Sequence, residues 1–111
     1  MIDITINKTD SGVIESFTIS GHALFANYGN DIVCAGVSAV SIGAINAVIS
    51  ITGITPDIEQ GEDGGFLSCG IPANIPAETR ERIQLLLEGM IVSLETIERD
   101  YGKHVAIKYN N

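Results

Sequence analysis

From Ile32 through Pro56 the chain carries no charged residue, although Asp, Glu, Lys and Arg make up 18% of its 111 residues. A run of that length and hydropathy either crosses a bilayer or packs inside protein. Ser38, Ser41, Gly43, Asn46 and Ser50 interrupt it, Gly53-Ile54-Thr55-Pro56 ends it, and no Lys or Arg flanks it. These features argue against a membrane span and predict a helix over roughly 32–53, buried in protein on most of its faces. Asp31, just before the run, is a favoured N-cap, and Gly53 with Pro56 supplies the stop.

The rest of the chain falls into short elements. Residues 2–8 alternate, with Ile2, Ile4 and Ile6 on one face and Asp3, Thr5 and Asn7 on the other, the pattern of a half-buried strand. Thr9-Asp10-Ser11-Gly12 is turn chemistry, and alternation resumes over 13–21 with Val13, Phe17 and Ile19 facing one way. A second hairpin is expected around Glu62-Asp63-Gly64-Gly65, with strands near 56–61 and 65–69. Pro76 opens another helix, whose apolar positions Ile83, Leu86, Leu87, Met90, Leu94, Ile97 and Tyr101 follow steps of three and four. A last strand covers 103–109. The order ββαββαβ predicts one α+β domain over residues 1–111, with a mainly antiparallel sheet packed against the apolar helix (about 32–53) and an amphipathic helix (about 76–101). With 45% hydrophobic residues, such a chain closes one core without disulfides or a structural metal.

Charge and cysteine usage narrow the setting. Fourteen acidic residues against six basic ones give a net charge of −8. That balance repels phosphate, which counts against direct nucleic-acid binding, and attracts basic partners. Met1-Ile2-Asp3-Ile4 carries no basic signal-peptide region. With two cysteines only, Cys34 and Cys69, the protein is expected in a reducing cytoplasm with both thiols free and no membrane association.

The candidate chemistry lies between Gly21 and Ser38. With Asp31 as N-cap, Cys34 falls in the first helical turn, where unpaired N–H groups and the helix dipole favour a thiolate. His22 closes the second strand, and the aperiodic loop 23–30 (ALFANYGN) is long enough to bring imidazole and thiol together. His22 can then act as ion-pair partner and as acid toward a leaving amine, while N–H groups near Cys34 serve as oxyanion donors. Asp31 has two candidate jobs, capping the helix or orienting His22 as the third member of a triad. Ser38, one turn further on, either steadies the thiolate or substrate, or bonds back to the helix backbone.

A plainer reading stands beside this one: Cys34 is a small core residue and His22 a surface or capping side chain. Cys69, sharing a face with Leu67, and His104, sharing a face with Lys108 and expected to be solvated, are assigned to structure. No Cys or His pair has zinc-ligand spacing, and neither metal nor cofactor is expected.

The run Gly21-His22-Ala23, then Gly29, Asp31-Ile32-Val33-Cys34-Ala35 and Ser38, resembles that of the bacterial ribosomal-processing cysteine protease family, Prp. The resemblance extends over nearly the whole chain, including the ββαββαβ order and Leu94-Glu95-Thr96-Ile97-Glu98. It implies a cytoplasmic, homodimeric endopeptidase. Its substrate would be the large-subunit ribosomal protein numbered twenty-seven, whose N-terminal extension is removed after an aromatic pair and before a small residue. By position, His22 and Cys34 are then the catalytic pair, with Gly21, Ala23, Asp31 and Ser38 as supporting residues. Leu24, Phe25, Tyr28 and Gly29 belong to a loop expected to close over substrate, and Leu24-Phe25 is more apolar than the family's usual loop. The competing readings are a non-enzymatic acidic homodimer binding a basic ribosomal protein, and an acyl transferase or amidase using the same thiol.

Overall fold

Alternation of Ile2, Ile4 and Ile6 sets the first strand, and all three side chains are buried. The computed structural model describes residues 1–27 and 30–111. Its elements are β1 (Ile2–Lys8), β2 (Ile14–Ser20), α1 (Ile32–Thr52), β3 (Asp57–Gln60), β4 (Phe66–Gly70), α2 (Ala77–Asp100) and β5 (Val105–Asn110). The order ββαββαβ is the one expected. The strands form a single sheet in the order β3-β4-β2-β1-β5. Hairpin partners run antiparallel, as do β2 and β4, whereas β1 and β5 pair in parallel because α2 carries the chain back before β5 begins.

One strand departs from its pattern. Alternation places Val13 with Phe17 and Ile19, but Ile14 is the residue buried there. β1 and β2 pair Asn7 with Ser16 and then Lys8 with Ile14, so Glu15 is an extra residue that inverts the parity of the strand. The Glu15 carbonyl instead accepts a hydrogen bond from Ile71 N at 2.9 Å.

The core joins the apolar sheet face to inward stripes of both helices. In α1 the stripe is Val33, Val37, Ser41, Ile45 and Val48; in α2 it is Ile83, Leu87, Met90, Ile91 and Leu94. Gly53 ends α1 in the left-handed region, φ 75°, and its N–H bonds to Ile49 O. The expectation that α1 is covered on most faces needs correction. Ile32, Ile42 and Ile51 are exposed within this chain. A helix laid on a two-layer sandwich turns only one side to the core. Although α1 is long and apolar enough to cross a membrane by length and composition, its stripe packs on α2 and the core.

Candidate active site

A cavity of about 590 Å³ opens between the first half of α1, the segment after β2 and the β3–β4 hairpin. Cys34 and Ser38 line it from the helix, Gly21, His22 and Leu24 from the segment, and Gly64, Gly65, Phe66 and Leu67 from the hairpin and β4. The structure therefore brings His22, Cys34, Ser38, Asp31 and Gly21 around one space.

Asp31 builds the floor of that space. In extended conformation before α1, its Oδ1 accepts from Val33 N at 2.9 Å and Cys34 N at 3.1 Å. Its Oδ2 accepts from Phe25 N at 2.9 Å and Ala26 N at 3.2 Å. Burial alone raises such a carboxyl, but the four N–H donors outweigh it and hold Asp31 below its ordinary value of 3.8. One carboxylate thus caps the helix and staples the loop to it. Among the described residues none of these bonds goes to His22, so in this conformation Asp31 acts on backbone rather than on the imidazole.

The cap has a chemical consequence. The N–H groups of Val33 and Cys34 are engaged by Asp31 Oδ1, and Ala35 N donates to Asp31 O at 3.0 Å. The donor that reaches the sulfur comes from elsewhere: Ala23 N–H points at Cys34 Sγ, 3.4 Å away. Ala23 itself is buried. The helix-end N–H groups of Val33, Cys34 and Ala35 are therefore engaged within the cap, and the N–H directed at the sulfur belongs to the peptide after His22.

His22 is held by its backbone and by a glycine. Gly21, at φ 90°, donates its N–H to Gly65 O at 2.9 Å, and the Met1 ammonium donates to His22 O at 2.7 Å. A Cβ at Gly21 would collide with the Met1 carbonyl, and one at Gly65 would lie 2.9 Å from His22 Nε2. Gly21 is required by this close approach to backbone, and Gly65 leaves the room that the His22 ring occupies. The imidazole and the thiol share the cavity but, among the described residues, no hydrogen bond joins them.

Ser38 lines the cavity, and a back-bond to the helix, one of the two roles open to it, is made by Ser41, Oγ to Val37 O at 2.7 Å. Leu24 lines it too, at φ 56°, an uncommon conformation for a branched side chain. Phe25 turns the other way: its ring meets Tyr101 and His104 edge-on, with centroids 5.5 and 5.3 Å apart. Tyr28 and Gly29 lie outside the described residues. His104 is a correction, for it is neither solvated nor on a strand face with Lys108. β5 starts one residue later, and the half-buried His104 ring bonds through Nδ1 to Ala23 O at 2.8 Å. Cys69 is fully buried in β4, and burial, helped by the charge of Asp57, pushes its thiol up to about 11.

A buried cap, a thiol at a helix N-terminus and a histidine across an open cavity form the layout of a cysteine hydrolase. Comparison with known proteins makes the class specific. Residues 1–106 match the family model described as cysteine protease Prp. The ribosomal processing cysteine protease Prp of Bacillus subtilis (strain 168) is 50% identical over 110 residues, which is 99% of this chain and 98% of that protein. Two solved structures of the S. aureus Prp protease superpose across 99% of this chain and the whole of theirs. One, with a covalently linked product peptide, has a TM-score of 0.90 at 38% identity; the other, with a substrate peptide, 0.83 at 36%. The chain belongs to the Prp family and is a cysteine protease.

Proposed function

We propose that this protease removes an N-terminal extension from the large-subunit ribosomal protein numbered twenty-seven, with Cys34 as nucleophile and His22 as general acid and base. The observation that carries this reading is the placement of Cys34 Sγ in the α1 first turn, facing the His22 cavity, with Ala23 N–H already directed at it. The relatives support the setting: the B. subtilis protein bears the name of a ribosomal processing protease, and the S. aureus structures hold substrate and product peptides.

In this scheme the Cys34 thiolate adds to the scissile carbonyl, and Ala23 N–H is a donor toward the charge that develops there. His22 protonates the departing amine as the C–N bond breaks, leaving a thioester. Water then attacks that thioester, His22 takes its proton, and the acid product leaves as the thiol is restored. Ile2, Ile19, Leu24, Phe66 and Leu67 give the cavity apolar walls suited to the aromatic residues before the cut. The net charge of −8 favours encounter with a basic ribosomal protein in the cytoplasm. The exposed Ile32 and Ile51 of α1, which do not line the cavity, support a homodimer that covers part of this helix.

A synthetic peptide spanning the extension junction tests the reading. Wild type cuts it, while Cys34→Ala and His22→Ala lose about 10³-fold or more. Replacing the aromatic pair with alanine stops cleavage. Undiminished cutting by both variants would remove the catalytic assignment, and equal cutting of the alanine peptide would remove the substrate.

A further inference from the structure

Among the groups that the scheme above leaves unused, His104 stands out. It lies 81 positions from Ala23 in sequence, yet its Nδ1 is 2.8 Å from the Ala23 carbonyl oxygen. Its own carbonyl accepts from Ile2 N at 2.8 Å, and its N–H donates to Tyr101 O at 2.8 Å, so the residue is tied into β1 and the end of α2. The ring also meets Phe25 edge-on, and Phe25 meets Tyr101 in the same way. His104 is therefore a fixed post standing on the framework of the fold.

What it holds is the residue whose N–H points at the sulfur. Ala23 is engaged at both ends, through its N–H to Cys34 Sγ at 3.4 Å and through its carbonyl to His104, with its methyl group buried between. The next residue, Leu24, adopts φ 56°, which a leucine leaves readily unless both neighbours are restrained. Ala23 is restrained by His104, and Phe25 by Asp31 Oδ2. The Ala23 N–H lies in the His22–Ala23 peptide, held at His22 O by the Met1 ammonium. Without the bond to His104 that is the anchor left to Ala23, and as the turn at Ala23 and Leu24 relaxes toward ordinary φ it draws the Ala23 N–H away from the sulfur.

We infer that His104 is a positioning residue of the protease: by gripping the Ala23 carbonyl it keeps the Ala23 N–H aimed at Cys34 Sγ. The inference rests on the reading of Cys34 as nucleophile. A carbonyl oxygen only accepts, so Nδ1 of His104 must carry a proton in this arrangement. That gives the grip a spectroscopic signature in the unmodified protein.

Two variants separate the bond from the ring. His104→Phe keeps an aromatic edge against Phe25 and removes the donor; His104→Asn loses the ring and keeps a donor near the position of Nδ1. For the junction peptide, His104→Phe is expected to lower kcat about tenfold with KM within about twofold, and to slow iodoacetamide labelling of Cys34 by several-fold. His104→Asn should recover most of both. Wild-type cleavage and labelling in His104→Phe would overturn the inference, as would equal damage in both variants accompanied by equal loss of melting temperature. If either variant does not fold, long-range ¹H–¹⁵N correlation of the wild-type imidazole decides: a protonated Nδ1 supports the grip, and a bare Nδ1 refutes it. Cys34→Ala runs beside them. Retained cleavage there would condemn the nucleophile assignment itself, whereas a dead Cys34→Ala with a fully active His104→Phe would condemn only the role of His104.

Discussion

Cys69 sits in β4 between two neighbouring strands, opposite Phe17 on one side and Ile58 on the other, with no exposed surface; Cys34 sits in the first turn of α1 at the edge of an open cavity. The two thiols share one small domain, yet backbone placement gives them opposite prospects. At pH 7 a thiol pushed up to about 11 is ionised about once in 10⁴ molecules, and Cys69 is sealed from reagents as well. Cys34 has a donor on its sulfur and space in front of it. The histidines divide the same way: His22 edges the cavity, and His104 is bonded into the framework behind it. Residue type therefore says little here. What separates the members of each pair is whether the backbone around them ends in free space or in another strand.

The most direct way to break this contrast is selective labelling. Iodoacetamide at neutral pH should modify Cys34 at least about 10²-fold faster than Cys69, read by mass mapping of the labelled peptides. Comparable rates would show that burial does not protect β4 or that the helix end does not expose Cys34. Denaturing the protein first should bring the two rates together, which locates the difference in the fold.

A finer contrast uses two glycines of the same hairpin. A Cβ at Gly65 would crowd His22, whereas one at Gly70, next to Cys69, would meet only ordinary contacts, 3.8 Å from Asp57. Neither has the left-handed φ that strains a substitution. Gly65→Ala should therefore displace the imidazole and cost about ten- to a hundredfold in cleavage of the junction peptide, with little change in melting temperature. Gly70→Ala should leave cleavage unaltered. Equal behaviour of the two variants would mean that the position of the His22 ring is not set by the hairpin.

Much of this was legible from local pattern. The Ile2-Ile4-Ile6 alternation, the charge-free run and the three-and-four spacing of α2 each report a single element's own geometry, and each element formed where that geometry placed it. The misreadings share a different cause. The bulge at Glu15 depends on how β1 registers against β2, and the open side of α1 on how many layers the fold has. His104 finds its role through a backbone carbonyl 81 residues away, and Gly65 through the side chain it lacks. Contacts made by backbone atoms and by absent atoms leave no hydrophobic periodicity behind. Asp31 shows the same divide: local pattern favours the helix cap that Oδ1 makes, while the bonds of Oδ2 to Phe25 and Ala26 N–H groups depend on how the loop folds back.

That double use of Asp31 makes the smallest and most local prediction. Because the folded carboxyl of Asp31 is held below 3.8, its contribution to stability is fully present above that pH and is lost as pH falls through the lower folded value. A protonated carboxyl cannot accept from all four donors, and neither can the amide of Asn, one end of which is itself a donor. Asp31→Asn should thus lower the melting temperature by a few degrees near pH 6, with faster amide exchange at Phe25 and Ala26. The gap to wild type should narrow steadily as pH is lowered through 3.8 and below, since protonation makes wild type resemble the variant. A gap that stays constant with pH would mean that shape rather than charge holds the loop. Iodoacetamide rates under the same conditions place the effect: Cys34, whose own N–H is one of the four donors, should respond to Asp31→Asn, and Cys69, across the core in β4, should not.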